Sequence, residues 1–187
     1  MTALDESPLR PQAQPAHIYD DRLLVGAAAF FTMAVLLHGA DHVRRGTAAV
    51  DRDVFWVGVT AIAVEVVVVV LACQRHRLAP LVAVATGWSL AAGYVLVHFL
   101  PARGWLSDSF ISAEEVSPLS WIAASIEVVA AVALGAAGLA VLRRRGGLES
   151  ALLPYPAQRP LLSGVMHPVA RAMLVGNAVI LITTAVS

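Results

Sequence analysis

The chain has 187 residues, 58% of them apolar and only 14% charged, with a mean hydropathy of +0.74. A soluble domain carries about a quarter charged residues and spreads them along one face of each helix. Here they crowd between long apolar runs, which excludes that class and marks an all-α, multi-pass membrane protein. The net charge is zero and all thirteen basic residues are arginine, a balance that argues against a nucleic-acid partner and leaves the lipid bilayer as the expected one.

The first 22 residues, with Pro11, Pro15, Asp20 and Asp21, lack a signal-peptide pattern and read as a mobile cytoplasmic tail ahead of an uncleaved anchor. Four apolar runs follow, at about 23–42, 54–73, 79–100 and 119–142. Each approaches or exceeds the roughly 20 residues that a helix needs to cross a bilayer. Together, residues 23–142 are expected to form a four-helix transmembrane bundle. Pro80 suits the first turn of the third helix, where its missing N–H would have no partner anyway. Residues 143–167 form a basic, proline-containing cytoplasmic linker. A fifth run, 168–187, opens on Pro168 and carries Arg171 and Asn177. It is long enough for a fifth transmembrane helix, with a membrane-surface helix as the alternative. The lone Cys73 excludes an intrachain disulfide and any CxxC motif.

Arginine counting gives an orientation in the cell membrane. Arg10, Arg22, Arg75, Arg77, Arg143, Arg144, Arg145 and Arg159 share one side, against Arg44, Arg45, Arg52 and Arg103 on the other. The excess favours a cytoplasmic N-terminus, with the first and third loops outside.

The two halves echo each other. Val35-Leu36-Leu37-His38 recurs as Val95-Leu96-Val97-His98, and Glu65-Val66-Val67 recurs as Glu127-Val128-Val129. The histidines are 60 residues apart and the glutamates 62. This pattern predicts two parallel two-helix repeats, about 23–73 and 79–142, related by an axis along the membrane normal.

The repeats place ionisable groups inside apolar sequence. A central acidic residue costs roughly 2.5–3.5 kcal/mol on insertion scales, so such groups face the bundle interior and mark function by default. Small residues flank both glutamates at helical spacing, including Gly58 and Ala61 near Glu65 and Ala123, Ala124, Ala130 and Ala131 near Glu127. Both carboxyls are therefore expected to point inward. His38 and His42, at i and i+4, share a face near the outer end of the first helix, and His98 is near the outer end of the third. Asp41 is positioned to orient an imidazole through its free N–H, with Tyr94 one turn below His98. Counting along the helices leaves a depth gap of roughly 6–13 Å between imidazoles and carboxyls, which side chains leaning toward each other would narrow. His17, His76 and His167 lie in tails or loops and receive no role. Asp108, Glu114 and Glu115 read as a solvated acidic segment of the third loop.

The leading expectation is an intramembrane transition-metal site with His38, His42, Glu65, His98 and Glu127 as ligands and Asp41 and Tyr94 supporting them. Mixed imidazole and carboxylate donors suit zinc, iron, manganese or nickel, in a carrier, a sensor or a metal-dependent oxidoreductase. The Glu-x-x-His unit of di-iron bundles is missing. Three alternatives compete: a haem held by His38 and His98 for electron transfer; a proton-coupled small transporter or quinone-interacting protein, expected as a homodimer; and a structural subunit whose polar groups join helices. His38-Gly39-Ala40-Asp41-His42 resembles in part the His-x4-Asp-His signature of nickel and cobalt permeases. The first histidine and the aspartate are two residues closer than in that signature, and no function is carried over.

Overall fold

The computed structural model describes residues 17–46, 51–102, 104–105, 107–113 and 116–148. They form four helices: α1 (His17–Arg45), α2 (Arg52–Cys73), α3 (Ala79–His98) and α4 (Pro118–Arg144). No strand occurs among the described residues. All four helices are long and apolar enough to cross a membrane. Their outward faces are apolar too: Met33, Leu96 and Val129 are each about 60% exposed (63%, 60% and 59%). Water would penalise such surfaces, whereas lipid would not, so the chain reads as membrane-embedded.

Local signals explain the ends. Gly46 adopts φ +84° just after α1 and its N–H bonds the His42 carbonyl at 3.1 Å, a left-handed stop that glycine takes without strain. Ser117 caps α4, its side chain accepting from the Ser120 N–H, with Pro118 opening the helix. The helix of α1 begins at His17, inside the segment expected as tail, because a helix may continue beyond the apolar stretch that marks a span. The segment expected as a fifth helix, 168–187, lies outside the described residues, as does the linker beyond residue 148.

Each helix packs against its neighbours in sequence, and α4 closes the bundle against α1. The packing is uneven. The α3–α4 contact is the most extensive, α1–α4 comes next, and α2 rests lightly on α1 and α3. The tight seam follows from small residues. A Cβ added at Gly87 would come 2.5 Å from the Gly135 nitrogen, and one at Gly138 would come 2.6 Å from the Pro80 carbonyl. Ala83, Ala130 and Ala131, all fully buried, continue this surface, letting the backbones approach in lipid, where packing rather than hydrophobicity drives association.

Gly87→Ala should therefore lower stability by about 1–3 kcal/mol, the usual cost of overpacking, read as the unfolding midpoint in detergent. Gly26→Ala, where an added Cβ meets nothing within 4 Å, should leave that midpoint unchanged. Equal midpoints for both variants would contradict the close α3–α4 seam.

Candidate metal centre

Helical periodicity stacks His38 and His42 on one face of α1, one turn apart. The last turn of α3 brings His98 against them. The ring centroids of His38 lie 4.5 Å from those of His42 and 4.8 Å from those of His98. Each of the three imidazoles offers a nitrogen, and these atoms all lie within 4.8 Å of one another. His38 and His98 are buried, at 5% and 4% exposure. The cluster could hold a metal ion.

Proton accounting shows why this cluster is unusual. The Arg45 guanidinium lies 2.9 Å from His42 Nδ1. Because guanidinium only donates, His42 Nδ1 must accept, which puts the His42 proton on Nε2. That N–H faces His38 Nε2 at 2.9 Å and donates to it. His38 is then protonated on Nδ1, and that atom is buried with no hydrogen-bond partner. A buried orphan of this kind costs about 1–3 kcal/mol. A cation between the two Nε2 atoms would use both lone pairs if the His42 proton moved to Nδ1, which requires the Arg45 guanidinium to leave that atom and Asp108 Oδ2, 3.9 Å away, to draw closer.

Asp108 was expected to be a solvated acid, and the structure corrects this. It is 6% exposed, and its two oxygens accept from Arg45 at 3.2 and 2.7 Å. His98 Nδ1 lies 3.1 Å from its backbone carbonyl and 3.4 Å from its carboxylate. That leaves His98 Nε2 to face the cluster, the tautomer control usual around metal-bound histidines. Burial by itself would raise the Asp108 carboxyl, but its bonds with His98 and Arg45 and the Arg45 charge outweigh it and hold the group well below its ordinary value of 3.8.

Asp41, by contrast, does not orient an imidazole. It is 3% exposed and pairs with Arg44 at 2.8 Å and Arg45 at 3.4 Å. Arg44 in turn donates to Ser117 and Ser120 at 2.9 and 3.1 Å, clipping α1 to the start of α4. Phe110 covers the imidazoles. Its ring centroid is 4.8 Å from that of His98 and 6.4 Å from that of His38, and the Arg45 guanidinium sits over the ring, 5.0 Å from its centroid. The Phe110 N–H bonds the His98 carbonyl at 3.0 Å, which anchors the loop to the end of α3.

Below the imidazoles are the two carboxyls, both pointing inward as expected: Glu65 is 1% and Glu127 2% exposed. Glu127 Oε2 lies 3.7 Å from His38 Nε2, so the depth gap closes on that side. Tyr94 supports the carboxyls rather than His98. Its hydroxyl donates to Glu65 Oε1 at 2.6 Å and also interacts with Glu127. Among the described residues, Glu65 is thus tied to the imidazoles through Tyr94 and Glu127. Sequence reading missed Arg45, Asp108 and Phe110. A loop aspartate ten residues after His98 carries no periodic signal, so only the fold could reveal that it turns inward. His76 stands apart, accepting from the Leu78 N–H at 3.3 Å in the α2–α3 turn.

Comparisons of the chain with protein-family models, with curated proteins and with solved structures found no match. The assignment therefore rests on this geometry.

Because the folded Asp108 value lies below the unfolded one, its stabilisation is fully present above about pH 3.8 and is lost progressively as pH falls from there toward the folded value. Asp108→Asn should be less stable at neutral pH and should lose less on acidification below about pH 4 than the native chain. Parallel acid-unfolding curves for the two proteins would show that Asp108 carries no such load.

Proposed function

We propose that this is an integral membrane protein holding a transition-metal ion within the bundle, with His38, His42 and His98 as nitrogen ligands and Glu127 as the carboxylate ligand. The carrying observation is the meeting of His38 and His42 Nε2 atoms at 2.9 Å beside a buried carboxylate 3.7 Å away. Three imidazoles and one carboxylate form an N3O set suited to zinc, iron(II), manganese or nickel. Asp108 orients His98. Glu65 is not a direct ligand in this reading; it holds Tyr94 beside Glu127. The pairing of His38 with His98 and of Glu65 with Glu127 supports a bundle of two parallel repeats. The arginine excess supports a cytoplasmic N-terminus, with the histidine end in the outer leaflet.

The lid favours a resident ion over a transported one. Phe110, Arg45 and Asp108 close the histidine end, and a carrier would have to break a buried ion pair at each passage. A sensor or metal-dependent enzyme fits better. Haem fits less well: two axial imidazoles stand on opposite faces of the macrocycle, whereas the His38 and His98 rings meet edge to face at 69° with centroids 4.8 Å apart. A purely structural role explains the Tyr94–Glu65 bond between α3 and α2 but not the gathering of three imidazole nitrogens within 4.8 Å of one another.

Protein purified in detergent without chelator should contain close to one transition-metal ion per chain by elemental analysis. His98→Ala should remove it, and Asp108→Asn should weaken affinity by about 10–100-fold, the usual effect of losing a ligand-orienting group. His76→Ala should leave it unchanged. The same metal content in all four proteins would overturn the assignment.

A further inference from the structure

A cavity of about 250 Å³ adjoins the histidine cluster, between α1, α2 and α3. Its walls are apolar except along one side, where the three histidines, Tyr94, Glu65 and Glu127 gather. The cavity follows from the uneven packing: α2 rests lightly on α1 and α3, while each of those two helices packs closely on α4.

Two glycines show that the space is not a by-product of close helix approach. Gly58 on α2 and Gly93 on α3 both line the cavity, and a Cβ added to either meets nothing within 4 Å. Gly87, by contrast, would bring a Cβ into the Gly135 backbone at 2.5 Å. Glycine at 58 and 93 therefore serves no backbone contact; it leaves the cavity unfilled. Val57 and Leu96 line the same space and are themselves 45% and 60% exposed on the apolar outer surface. The mouth consequently opens where acyl chains would lie.

One buried polar atom indicates what enters. Glu65 Oε1 accepts from Tyr94, but Oε2 is buried without a hydrogen-bond partner, and the residue lines the cavity. As a carboxylate oxygen it calls for a donated hydrogen. A fatty acid would bring a third carboxyl against Glu65 and Glu127, and a quaternary ammonium has no hydrogen to donate. We propose that the cavity binds a membrane-soluble phenol or quinol, whose hydroxyl donates to Glu65 Oε2 and whose apolar tail leaves between Val57 and Leu96. The volume lies just below the drug-sized range, which suits a single substituted ring with its tail outside. This goes beyond the metal assignment and does not depend on it.

The test uses full-length protein in detergent and reads the unfolding midpoint against 4-octylphenol, its methyl ether 4-octylanisole, and octyltrimethylammonium. A ligand that binds the folded state raises the midpoint with concentration. The phenol should raise it saturably, and the ether and the ammonium should not. Gly58→Leu and Gly93→Leu, which fill the cavity, should lose the phenol response, and Gly26→Leu, with open space elsewhere on α1, should keep it. Metal content is measured on each sample, so failure of the metal assignment and failure of this one are separately visible. Equal responses to phenol and ether would reduce the cavity to an acyl-chain groove and overturn the proposal, as would preferential response to the ammonium or a full phenol response in the filled variants. Should a filled variant fail to fold, the phenol–ether comparison on the native chain decides.

Discussion

Three imidazoles, two buried and one half-buried, with a nitrogen of each within 4.8 Å of the others, impose the strictest condition on this bundle. Each ring has one proton to place and one lone pair to satisfy, in surroundings where unmet polar groups are costly. The surrounding chain answers most of that demand. Arg45 and Asp108 fix the His42 and His98 rings, and Glu127 lies beside His38. What is left over is a His38 Nδ1 with no partner and two Nε2 atoms sharing one proton at 2.9 Å. A cation would resolve the Nε2 contact, because it replaces a shared proton with coordination to both rings, while the His38 Nδ1–H would keep its unpartnered state.

The Arg45–Asp108 pair illustrates how buried charge is used here. Breaking water contacts for two ions offsets much of their attraction, yet removing either partner leaves the other charge buried and unpaired, which enforces one arrangement. In this chain the enforced arrangement is the third loop folded over the histidine end. Asp108 reaches His98 and Arg45 together, and Phe110 then packs on the rings. Asp41 makes a parallel contribution: through Arg44 it reaches Ser117 and Ser120 and sets α1 against α4. The close α3–α4 seam supplies the rigid backing, and the lightly packed α2 leaves room beside the site.

The sequence disclosed the membrane class, the four helices and the inward direction of both glutamates, because each is written in composition and in helical spacing. It also identified His38, His42 and His98, since ionisable groups stand out against apolar runs. It misassigned Asp41, whose neighbours at i+3 and i+4, Arg44 and Arg45, are stronger partners than an imidazole. It misplaced Tyr94 as well, because one turn of separation on α3 says nothing about which helix faces that turn. Asp108 and Phe110 were illegible: loop residues have no periodicity, and whether a loop folds inward depends on a partner 63 residues away. The depth gap between imidazoles and carboxyls was overstated on the Glu127 side because side-chain lean is large compared with one helical step.

X-ray absorption at the metal edge of protein loaded with zinc or cobalt reports the coordination shell directly. The account predicts four light nitrogen or oxygen neighbours at about 2.0–2.2 Å, with the outer-shell scattering of three imidazoles. A shell of oxygen atoms alone, or one with a single imidazole, would contradict convergence of His38, His42 and His98 on one ion.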